Sequence, residues 1–179
     1  MYTEYTLAAT NLAHTSSDLL RYRVTIVRAI EAPTQKDFEH ITASLPDQRA
    51  HVRRAVEQYA EAHHRVAQDS PKGDQDLQAL RRSLDAYFAS ADQTRTLLVR
   101  LWQAHSPSET GALRHQAEMH AAEHAGPKLV EASDALERLL MGVADVGKEM
   151  RDEGRDIIRT TSLLLLVGSV LIAAVNLLA

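Results

Sequence analysis

Residues 77–101 read LQALRRSLDAYFASADQTRTLLVRL, and this stretch decides the fold class. Leu77, Leu80, Leu84, Tyr87, Ala91, Thr94, Leu98 and Leu101 recur in alternating steps of three and four. That spacing lays one apolar seam along a helix and belongs to helices packed lengthwise at shallow angles. A seam of this length needs partner helices, and the flanking sequence supplies them.

On the N-terminal side the run DSPKGD, Asp69 to Asp74, predicts a turn. Before it, Phe38, Ile41 and Leu45, then Val52, Ala55, Tyr59, Ala62 and Val66, keep the same rhythm, and Pro46 is either a kink or a true helix start. Pro33 and a capping Thr34 separate this segment from the first, about residues 3–31. The inward series predicted there is Tyr5, Ala9, Leu12, Ser16, Leu19, Arg23, Ile26 and Ile30. On the C-terminal side Ser106-Pro107-Ser108 breaks the chain, with Ser108 as the expected cap. Gly126-Pro127 marks the last segment, and Leu129, Ala132, Leu136, Leu139, Val143, Val146, Met150 and Ile157 carry its seam onward. The expectation is an all-α chain, an antiparallel up-down-up-down four-helix bundle over residues 1–161.

The composition agrees: 45% hydrophobic but only 4% aromatic, with 7 glycines and 5 prolines, which favours long helices over sheets. A net charge of -4, with no basic tract interleaved with aromatics, argues against nucleic acid as a partner. The chain has no cysteine, which removes disulfides, thiolate metal sites and thiol nucleophiles together. Ser162 to Ala179, SLLLLVGSVLIAAVNLLA, is eighteen residues without a charge and predicts a C-terminal transmembrane helix. The apolar span runs to the last residue and Tyr2 to Asn11 lacks the features of a signal peptide. The sequence is therefore expected to be a piece of a receptor whose first span precedes Met1.

Two features invite chemistry. Arg23 falls on the predicted seam, where a charge is costly unless something pairs with it. Arg28 lies five residues on, about 140° around the helix. Two copies of the helix side by side would present the pair to one anion better than one copy would, and guanidinium forks suit carboxylates. The plainer alternative is a solvated face, or an ion pair with acids of the last segment. His120-Ala-Ala-Glu-His124 matches a zinc-peptidase pattern, yet only 55 residues follow and no third ligand or cleft is evident. A haem bundle lacks any C-x-x-C-H attachment, although Met119 or a histidine is a conceivable axial ligand. Without a phosphate loop or nucleophile elbow the chain is expected not to be an enzyme, and to need no metal or cofactor.

Arg23-Val-Thr-Ile-Val-Arg28, the Val56-x-x-Tyr59 end of the stretch from Val52, and Gly126-Pro127 ahead of Leu136 to Leu140 carry a family resemblance. Their order and the terminal span resemble the four-helix-bundle ligand-binding domain of methyl-accepting chemotaxis receptors, over nearly the whole chain. The resemblance implies an extracytoplasmic, periplasmic sensor domain that works as a homodimer in the inner membrane. It implies a small carboxylate ligand gripped by Arg23 and Arg28, with Tyr22 and Lys128 beside them, against the last helix around His124 to Lys128. Residues 162–179 would be the second span, leading to cytoplasmic signalling domains of the same chain. The aspartate-type pattern has another arginine four residues after the second; here that place is Ala32, which argues against aspartate itself. The rival expectations are the same sensor on a histidine kinase or cyclic-dinucleotide enzyme, and a ligand-free membrane-anchored structural bundle.

Overall fold

A computed structural model describes residues 2–66 and 71–143. The chain divides into two compact units, Met1–Leu140 and Met141–Ala179. The second contributes only residues 141–143 to the described structure, and these are helical. The expected span 162–179 and the seam positions Val146, Met150 and Ile157 lie outside the described residues. Among the described residues no helix is long and apolar enough to cross a membrane.

The fold is all-α, and among the described residues there is no strand. Helix α1 spans Tyr2–Ile30, α2 Gln35–Thr42, α3 Leu45–Val66, α4 Pro71–Gln103 and α5 Pro107–His120. A π-turn, Ala121–Ala125, follows α5, and residues 126–140 continue helically. Thr34 caps α2 as expected, its Oγ1 accepting the Asp37 N–H at 3.1 Å. Pro46 is the second residue of α3, where a missing N–H costs nothing, so it marks a start rather than a kink. Of the expected turn over Asp69 to Asp74, Asp69 and Ser70 lie outside the described residues. Pro71 opens α4, so Lys72, Gly73 and Asp74 already belong to its first turn. The cap of α5 is Ser106, whose Oγ accepts the Glu109 N–H at 3.2 Å, and not Ser108; Pro107 then takes the first helical position.

The eight expected seam residues of α4, from Leu77 to Leu101, are all buried. The α1 seam departs from its expectation at three positions. Tyr5, Leu12, Leu19, Ile26 and Ile30 are buried as expected, but Ala8, Thr15 and Tyr22 are buried in place of Ala9, Ser16 and Arg23. Arg23 and Ser16 are exposed. A heptad anchored on Tyr5 and Leu12 can step three-then-four or four-then-three. The first choice buries the Tyr22 ring and spares an unpaired guanidinium, which settles the phase.

Polar contacts fix the helix directions. Tyr5 meets Tyr59, and Arg49 donates to the Tyr22 hydroxyl, so α1 and α3 run antiparallel. Arg49–Asp92, Arg53–Asp85 and Arg81–Glu57 form a descending ladder that makes α3 and α4 antiparallel. After the short link Ala104–Ser106 the chain reverses, and His120 of α5 returns to Thr94 of α4. Arg114 reaches from α5 to the Ile30 carbonyl at 2.9 Å, closing α5 onto the end of α1.

Candidate functional site

Where α5 and its π-turn pass α1 and α4, a cavity of about 300 Å³ opens. Its volume comes from small side chains: Ala91 on α4, and Ala121, Ala122, Ala125 and Gly126 around the π-turn. Pro127 explains the turn. Its ring would clash with the Glu123 carbonyl one α-turn back, and it has no N–H to offer. The backbone widens instead, and the Gly126 N–H bonds to the Ala121 carbonyl five residues earlier.

Arg23 lines this cavity from α1, with Ile26 and Ile30 supplying an apolar floor. Among the described residues Arg23 has no hydrogen bond or ion pair. Tyr87 lines it from α4, and its hydroxyl has no hydrogen-bond partner among the described residues. Burial raises the Tyr87 pKa, Tyr22 adds to that, and the charge of Arg23 opposes it. The phenol is therefore a neutral donor at any physiological pH. Glu31 and Glu118 complete the polar rim. The cavity can thus hold a carboxylate on Arg23 and Tyr87 and a cationic group on the two glutamates.

The other expected site residues lie elsewhere. Arg28 is exposed near the end of α1 and does not line the cavity. Tyr22 is 1% exposed, packed edge-on against Tyr87 and Phe88, its hydroxyl 3.1 Å from Arg49 Nη2. Lys128 is held by the Glu131 carboxylate at 2.9 Å on its own helix. The structure therefore brings Arg23 to the π-turn, within the expected neighbourhood of the last helix, without Arg28, Tyr22 or Lys128. Tyr87, Glu31 and Glu118 were not singled out in the sequence. Tyr87 reads as core in the sequence because it sits on the α4 seam.

His120, first of the H-x-x-E-H match, is engaged at both ring nitrogens. Nδ1 lies 3.0 Å from Thr94 Oγ1 and Nε2 lies 3.0 Å from Gln93 Oε1. Burial, then the neighbouring His124 ring at 4.9 Å, lowers its pKa. This neutral imidazole pins the start of the π-turn to α4. When the chain is compared with protein-family models, with curated proteins and with solved structures, nothing matches it.

Proposed function

We propose that residues 1–161 are an up-down-up-down four-helix-bundle sensor domain of a bacterial transmembrane chemoreceptor, and that it binds a small carboxylate in the cavity at Arg23. The observation that carries this reading is an arginine with no hydrogen bond or ion pair among the described residues, lining one small-residue cavity with a tyrosine whose hydroxyl has no hydrogen-bond partner among them. A guanidinium and a neutral phenol are a carboxylate-binding pair. Glu31 and Glu118 at the rim favour a carboxylate that also bears an ammonium group. No nucleophile, base or metal enters this scheme, so the role is recognition, not catalysis.

In this reading the working unit is a homodimer in the inner membrane, its sensor domain in the periplasm and residues 162–179 its second span. Support comes from α1, where Leu20, Val24 and Val27 form an exposed apolar stripe with heptad spacing. Val27 also lines the cavity, so a second copy on this stripe covers its mouth and can bring its own Arg28 to the same anion. Ligand then shifts the last helix against α1 by its differential affinity for two arrangements, and the cytoplasmic part of the chain reads the shift.

The test is calorimetric titration of small amino and non-amino carboxylates into wild type, Arg23→Ala and Arg28→Ala. Losing a charged partner of a partly buried carboxylate costs about 2–5 kcal/mol, more than tenfold in affinity. Arg23→Ala should show that loss with melting unchanged, because Arg23 is exposed. Unchanged affinity in both variants sinks the reading.

A further inference from the structure

A second cleft, of about 370 Å³, lies where the start of α3 meets α4. It shares no lining residue with the cavity at Arg23. Three guanidinium groups line it, Arg49 and Arg53 from α3 and Arg95 from α4, against the single carboxylate of Asp92. Even with Asp85, which holds Arg53 from outside the cleft at 2.8 Å, three cations face two anions.

The atoms that remain free are informative. Among the described residues Arg49 makes its polar contacts through Nη2: the Tyr22 hydroxyl at 3.1 Å, the Phe88 carbonyl at 3.3 Å and Asp92 at 2.7 Å. Its plane rests over the Phe88 ring, 4.9 Å from the centroid. The guanidinium is thus fixed in place while its Nε and Nη1 donors have no protein partner among the described residues. Arg95 has no hydrogen bond or ion pair among the described residues. The Tyr22 hydroxyl accepts from Arg49, which leaves its own proton unassigned at the cleft wall. The Arg53–Asp85 pair is solvent-exposed on both sides, and such pairs exchange readily for a better partner.

We infer that this cleft is an anion-binding site for a small dianion, a phosphate monoester or a dicarboxylate, held by Arg49 and Arg95 with Tyr22 and Arg53 assisting. A prefixed fork from α3, a free fork from α4 and a buried hydroxyl between them offer more donors than one carboxylate can accept. The unit then carries two sites of different chemistry. At Arg23 one guanidinium is balanced by two glutamates at the rim, whereas this cleft holds a net excess of positive charge. The Tyr22 and Tyr87 rings, 5.9 Å apart, stand between them, Tyr22 on the cleft and Tyr87 on the Arg23 cavity.

The experiment is calorimetric titration with inorganic phosphate and, separately, with succinate, at physiological salt. Wild type, Arg95→Ala, Arg53→Ala and Arg23→Ala are compared. One or both probes should bind wild type and bind Arg95→Ala at least tenfold more weakly, and Arg23→Ala should keep the part of the binding that Arg95→Ala loses. Phosphate binding alone marks a phosphate-type site, and succinate binding alone marks a dicarboxylate site. The inference is overturned if neither probe binds, or if Arg95→Ala and Arg53→Ala leave the affinity unchanged. Loss of binding in Arg23→Ala but not in Arg95→Ala assigns the anion to the other cavity and overturns it too.

Discussion

His63 is the least comfortable side chain in the core. It is 2% exposed, stacks 5.6 Å from the Tyr59 ring, and neither ring nitrogen has a hydrogen-bond partner among the described residues. The nearest anion is Asp74 of α4, 3.9 Å from Nε2, with His64 beside it on α3. Burial holds the imidazole below its ordinary value of 6.5; Asp74 pulls the other way and His64 adds a smaller depression. The unfolded chain therefore binds the proton first. Stability contributed by the neutral ring is present above about pH 6.5 and is lost as pH falls toward the folded value. His63→Leu removes both the titration and the unpaired nitrogens. Melting temperatures from pH 5 to 8 should show the variant gaining on wild type as pH falls, and parallel curves would contradict this. No residue pattern announced this histidine, because His63 and His64 are neighbours and either could have faced inward. The same ambiguity separates Tyr22 from Arg23: two adjacent residues competed for one seam position, and burial energy chose the ring.

At the scale of elements, what the sequence made legible is what heptad spacing controls. Leu80 and Leu98 of α4 lie where their period puts them, 0% and 1% exposed. Leu80→Ala should cost about 2–5 kcal/mol, read by denaturant unfolding. Leu20→Ala, on the exposed face of α1, should cost the monomer under about 0.5 kcal/mol. The π-turn was not legible, because it arises from a clash between Pro127 and a carbonyl one turn back and leaves no periodic trace. Pro127→Ala restores an N–H that can bond to the Glu123 carbonyl, which lets Ala121–Ala125 tighten to an α-turn. The following residues then rotate, the cavity at Arg23 narrows, and His120 leaves Thr94 and Gln93. The expected result is a His120 titration that moves up toward the ordinary range in NMR, together with weaker carboxylate binding. An unmoved His120 titration would show that the turn is held by packing instead of by the proline.

For the whole molecule the open surface of α1 decides the matter. Leu20, Val24 and Val27 are 56%, 54% and 40% exposed, spaced four and three apart, on a helix whose other face is already buried. Isolated exposed apolar residues need no explanation, but three in heptad register along one stripe do. The same stripe in a second copy, packed at a shallow angle, interdigitates with this one by symmetry. Fully burying each side chain contributes about 1.5–3 kcal/mol, set against the entropy of association. Under the proposed function, three such residues per copy would give a weak dimer, which ligand bridging both copies would strengthen. Val24→Glu should therefore abolish dimerisation in sedimentation equilibrium while leaving the monomer's melting temperature within a degree or two, because the position is solvent-exposed in one copy. Carboxylate affinity should fall with it, although Val24 does not line the cavity. A Val24→Glu protein that binds as tightly as wild type would show the Arg23 cavity to be complete within one chain. Arg28 would then have no part in binding, and the role of the stripe would have to be sought in another partner.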